Sequence, residues 1–200
     1  MNKGWEEIKG KTPQEILNEY YYPKSPFIST IVVEDIIKEL GINISDINFA
    51  KIKRNKAFKQ KIKEKGNLLC VMAISSYGPI IVYNKEYNNL VEKIYAEFDE
   101  SNLLKYRQRE SLAKCIGYLA SESELVEDTF YVECVNSMAY NKFMEELLVP
   151  YDKLLEAISI LGDILSIKVL AFEFGVTTKT MKRIIRRLES EGKLQGKILE

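Results

Sequence analysis

Histidine is absent from the 200 residues of this chain. Its imidazole is the commonest side-chain acid–base and metal ligand near neutral pH, so its absence excludes Ser-His-Asp and Cys-His triads and every His-ligated zinc site. Cysteine is scarce. Cys70, Cys115 and Cys134 are an odd number at unrelated spacings, which suits reduced thiols better than a disulfide framework. An excess of either charge is missing too: 29 basic residues face 29 acidic ones, for a net charge of zero. Only local patches can therefore attract nucleic acid or a membrane surface. No apolar run approaches the ~20 residues that span a bilayer. Met1 is followed by Asn2, Lys3 and Gly4 with no apolar stretch behind them, so the expectation is a cytoplasmic chain with no secretory leader and no membrane partner. What is present, 46% hydrophobic and 29% charged residues, is the composition of an ordinary globular protein.

Apolar periodicity sets out the elements. Residues 6–22 read as a helix closed by the aromatic turn Tyr20-Tyr21-Tyr22-Pro23. Residues 30–40 carry Ile31, Val32, Ile36, Ile37 and Leu40 at helical spacing, with Gly41 as the natural stop. Ile42-Asn43-Ile44 reads as a short strand. Residues 68–75 and 79–83 are two β-prone runs around the turn signal Tyr77-Gly78, predicting a hairpin. Helices are expected over 86–98, 104–120, 135–148, 151–160, 167–174 and 177–191. In the third of these, Pro150 supplies the stop; in the second, Leu112, Cys115, Ile116 and Leu119 share a face. Residues 122–128 read as an acidic loop, and 194–199 as a short strand. The fold class expected is α+β.

Three blocks then fall in a recognisable order: Ile80-Ile81-Val82-Tyr83-Asn84, then 107–119 (Arg-Gln-Arg-Glu-Ser-Leu-Ala-Lys-Cys-Ile-Gly-Tyr-Leu), then 139–150 (Ala-Tyr-Asn-Lys-Phe-Met-Glu-Glu-Leu-Leu-Val-Pro). Together they resemble the ImmA/IrrE family of zinc metallopeptidases. That family has a strand ending in Val-Asn, then Arg-x-Arg-Phe-Thr-x-Ala-His-Glu-x-Gly-His, then Glu-Ala-Asn-x-Phe-Ala-x-x-Leu-Leu-Met-Pro. The resemblance covers most of residues 25–190. It implies a helix-rich metallopeptidase-like body with a small sheet over 1–150, followed by a helix-turn-helix-like region over 151–200 in which 194–199 is the candidate wing. Two His at i and i+4 would bind zinc from one helix face, and the intervening Glu would activate the bound water. This chain carries Lys114 and Tyr118 at the His positions, Cys115 at the Glu position, and Ala139 where the family has its third ligand. All four catalytic or metal positions are replaced, so no metal and no cofactor are expected. Gly117, Arg107, Arg109, Asn141, Phe143 and the Leu147-Leu148-Val149-Pro150 stop are retained as scaffold. Relatives relieve repression, often by cleaving a helix-turn-helix repressor. The expectation here is a pseudo-peptidase that binds a protein partner, a repressor or other regulator, through Lys114 and Tyr118 in the vacated cleft.

Other segments admit two readings. Cys115 is either a core residue or a nucleophile whose thiol Lys114 activates. A Cys115–Cys134–carboxylate metal site has no known ligand spacing behind it. Gly10-Lys11-Thr12 resembles the end of a phosphate-binding loop, but Trp5 stands where the motif needs glycine. The run 51–65 sets eight basic residues against Glu64, net +7, and is either a solvated edge or a polyanion patch. Over 177–197 Lys179, Lys182, Arg183, Arg186, Arg187, Lys193 and Lys197 face Glu189 and Glu191, net +5. Of these, Lys179, Lys182, Arg183, Arg186 and Arg187 are the candidate DNA contacts of a transcription regulator, the alternative to the protein-binding reading.

Overall fold

The computed structural model describes residues 4–21, 30–47, 70–75, 78–84, 102–121, 130–131, 138–162 and 165–194. The architecture is α+β: helices packed around a small sheet. The chain opens with α1 (Gly4–Glu7) and α2 (Pro13–Tyr20), not the single helix expected over 6–22. Pro13 cannot continue a helix but suits a first turn. Thr12 caps it, accepting from the Glu15 N–H at 3.3 Å while the Glu15 carboxylate accepts from the Thr12 N–H at 2.8 Å. That reciprocal box is the role of Thr12 in the Gly10-Lys11-Thr12 stretch.

Helix α3 (Val33–Glu39) ends as expected: the Gly41 and Ile42 N–H groups donate to Lys38 O and Ile37 O, each at 3.0 Å. Strand β1 (Asn43–Ile47) follows, then β2 (Cys70–Ser75) and β3 (Gly78–Asn84), the predicted hairpin, in register from Cys70↔Tyr83 to Ser75↔Gly78. The sheet order is β1-β3-β2-β4, with β1 parallel to β3 and the short β4 (Phe130–Tyr131) antiparallel to β2.

Helix α4 (Leu103–Ser121) is the centre of the molecule, packed on α1, α3, β2 and α5 (Asn141–Leu148). Every residue from Cys115 to Ala120 is buried, a wider belt than the single face predicted from its spacing, because neighbours cover it on several sides. Helix α5 starts six residues later than the expected 135. Residues 138–140 form a turn in which Asn141 N–H donates to Met138 O, and the apolar period begins only at Met144, Leu147 and Leu148. Next come α6 (Tyr151–Leu161), α7 (Ile167–Phe174) and α8 (Thr178–Ser190). Ser166 and Thr177 cap the last two through the N–H groups of Val169 and Thr180, each at 3.2 Å. The expected helix over 86–98, the basic run 51–65, the acidic loop 122–128, Cys134 and the wing strand 194–199 lie wholly or almost wholly outside the described residues.

One buried cluster joins the segments predicted as body and C-terminal region. It contains Ile16, Ile36, Met72, Ile81, Ile116, Leu147 and Leu154, and continues through Leu170, Phe174, Ile184 and Leu188. Each such side chain contributes roughly 1.5–3 kcal/mol when withdrawn from water, so α7 and α8 are held by the same core as the sheet. No described helix is long and apolar enough to cross a membrane.

Candidate functional site

The four positions matching the family's catalytic and metal-binding residues lie on two elements. Lys114, Cys115 and Tyr118 belong to α4. Ala139 sits exposed in the turn before α5, not on the helix itself. Cys115 is fully buried and Tyr118 is 8% exposed. The Tyr118 ring meets Tyr140 edge-on, centroids 5.4 Å apart at 66°, a favoured aromatic geometry. Lys114 is half-buried. Cys70 and Cys115 are buried thiols without a disulfide. Among the described residues, no three Cys, Asp or Glu side chains gather as a metal-ligand set.

Beside the buried Cys115 and Tyr118, α4 and α5 leave an open groove of about 590 Å³. Gly117 and Ser121 line one wall; Ala139, Tyr140, Lys142, Phe143 and Glu146 line the other. Neither Lys114 nor Tyr118, the partner-binding residues expected from the sequence, is among them. A usable signal was present: 142, 143 and 146 recur at i, i+1 and i+4 on the α4-facing side of α5, with 139 in the turn before it. Gly117 is where the helices touch. A Cβ there would stand 2.8 Å from Phe143 Cδ1 and 2.9 Å from Cγ, so glycine serves the approach of α5. Lys142 and Glu146 pair across one turn at 3.9 Å.

Helix α8 is the second candidate surface. Its buried face holds Thr180, Met181, Ile184, Ile185 and Leu188. Lys179 and Arg186 are exposed and Lys182 is half-buried. Arg183 and Arg187 turn toward α5, where both ion-pair with Glu145, a carboxylate 3% exposed; the Arg187 contact is 3.3 Å. Arg187 also reaches Glu146 at 3.8 Å and Glu191 at 3.4 Å. The Lys193 ammonium, donating to Glu191 at 2.7 Å, holds that carboxyl below the usual range. Two of the five cations predicted for DNA thus also fasten α8 to the body.

The turn between α7 and α8 is fastened as well. Arg109, 3% exposed, donates from Nη1 to Phe174 O at 3.3 Å and Gly175 O at 2.7 Å, and from Nη2 to Ile31 O. It places a cation on the carbonyl end of α7, where the helix dipole favours one. Gly175 has φ 59°, and any Cβ there would collide with Arg109 Nη1. Burial pushes the Arg109 guanidinium below its ordinary pKa, while Glu34 opposes that shift. A cavity of about 490 Å³ adjoins it, walled by Glu34, Lys105, Tyr106, Phe172 and Glu173. Thr177 N–H donates to the Glu110 carboxylate at 2.8 Å. Compared with family models, curated proteins and solved structures, the chain matches none significantly.

Proposed function

We propose that this chain is a catalytically inactive relative of the ImmA/IrrE metallopeptidases that regulates by binding a protein partner in the groove between α4 and α5. One juxtaposition supports the reading. At the positions matching the zinc site, Cys115 and Tyr118 are packed into the core, yet immediately beside them a groove of about 590 Å³ stays open. Tyr118, at one of the two His positions, packs against Tyr140, while the adjacent wall keeps what a binding surface uses. Tyr140 and Phe143 are aromatic anchors, and Lys142 and Glu146 offer opposite charges at the rim. The partner class that follows from the resemblance is a helix-turn-helix repressor or other regulator of a mobile element or stress pathway. A photo-crosslinking amino acid at Ala139, with a control at exposed Ser190, tests this in the native host. The reading predicts a discrete adduct from position 139 that Lys142→Glu abolishes. The same adduct from both positions, or none from 139, overturns it.

A DNA-binding regulator is the second reading, and α8 favours it. Lys179, Lys182 and Arg186 recur at i, i+3 and i+7, away from the buried Met181, Ile184, Ile185 and Leu188. A basic stripe on the second helix of a helix-turn-helix suits a duplex.

A further inference from the structure

The basic helix and its surroundings say how a duplex would be met, given the DNA-binding reading on which this inference rests. Base-reading helix-turn-helix proteins push the first residues of the second helix into the major groove. In this chain the inner face of that end is committed to the body, and Lys179 alone of its first residues is exposed. Thr177, Thr180 and Met181 are 8%, 3% and 0% exposed. The Thr177 N–H group already donates to the Glu110 carboxylate at 2.8 Å, so an anion occupies the place a phosphate would take at a helix N-terminus. The planar forks best able to read guanine are Arg183 and Arg187, and Glu145 binds both. Glu146 and Glu191 crowd Arg187 further. A base edge approaching that flank meets the carboxylates of Glu146 and Glu191. What remains for the duplex is the stripe of exposed Lys179 and Arg186 with half-buried Lys182 between them. It spans about 10 Å of helix axis at 1.5 Å per residue. Two of its three cations are lysines, which meet phosphate as point charges and carry no fork for a base pair.

We infer that α8 docks on duplex DNA as a rail along the phosphate backbone, through Lys179, Lys182 and Arg186, and that binding is independent of base sequence. Glu110 and Glu145 are the positioning residues that withdraw the helix end and the two inner arginines from the duplex.

The test is fluorescence anisotropy of the full chain with two short duplexes of unrelated sequence over a salt series. The inference predicts affinities within about threefold of each other, far below the 10³-fold or greater gap of specific readers. Arg186→Ala and Lys179→Ala should each flatten the log–log salt slope by about 0.9, one phosphate contact apiece. Arg183→Ala should leave the slope unchanged. If that variant does not fold, selection by the wild-type chain from a randomised duplex pool replaces it, and no motif should be enriched. An enriched motif, or a slope change with Arg183→Ala equal to that with Arg186→Ala, overturns the inference and leaves DNA binding standing. Absence of binding at low salt overturns both. Equal binding of labelled polyglutamate, with the same loss in Arg186→Ala, overturns the duplex as partner and points to an acidic protein surface.

Discussion

Replacing Arg109 with alanine should loosen the C-terminal helices before anything else. The guanidinium makes three bonds to main-chain carbonyls, at Phe174, Gly175 and Ile31, from a position 3% exposed. Hydrogen bonds from a charged donor contribute about 1.5–3 kcal/mol each in isolation. They do not add here, because the adjoining cavity of about 490 Å³ admits water to the abandoned carbonyls. Of the three carbonyl residues Gly175 lines that opening, so a net loss of about 3 kcal/mol is the reasonable figure. For a chain of this length each kcal/mol moves Tm by roughly 2–4 °C, giving a fall of about 6–12 °C. Circular dichroism melts give the size, and hydrogen exchange gives the place: amides of α7 and α8 should lose protection while those of β2 and β3 keep theirs. Arg109→Lys should recover little, since one ammonium cannot reach carbonyls on both α7 and the segment before α3. A shift below about 1 °C, or protection lost equally in the sheet, would refute the view that Arg109 ties these elements together.

Other consequences are smaller. Gly117→Ala should cost about 1 kcal/mol net, overpacking against Phe143 being partly offset by better helix propensity. The double variant with Phe143→Leu should regain most of that in urea melts. Thr12→Ala, which removes the cap of α2, should cost about 1 kcal/mol. The Thr12 N–H and hydroxyl hold the Glu15 carboxyl below its ordinary pKa. That contribution is therefore full above the usual carboxylate range and is lost as pH falls through the lowered value; Glu15→Gln should flatten this part of an acid titration of stability. Elemental analysis of protein purified without a metal-affinity tag should give substoichiometric zinc, and a tightly held ion near Lys114, Tyr118 and Ala139 would end the inactive-site proposal.

Much of the fold was legible because its signals are local. The α7–Gly175–α8 unit, the hairpin β2–β3 and the Gly41 stop each depend on residues close in sequence, so periodicity and turn chemistry suffice. Misplaced boundaries had local causes that were under-read: Thr12-Pro13 with Glu15 is a helix start, and the weak apolar period before Met144 delays α5. The site was less legible. Whether Tyr118 fills a hole or faces a groove depends on Tyr140, on another element and 22 positions away. Likewise nothing near Arg183 and Arg187 in sequence shows that Glu145, 38 and 42 residues earlier, takes both. Charge counting alone made the five cations of α8 equivalent; packing divides them.

The proposal that the chain binds a regulator without cleaving it has one most direct measurement. The partner captured from position 139 is purified, mixed with this chain in excess zinc, and followed by calorimetry and intact-mass spectrometry together. The account predicts a complex whose two chains both keep their full mass, with binding weakened by Lys142→Glu while the melting temperature holds. A cleaved partner, or tight binding indifferent to Lys142→Glu, would contradict it.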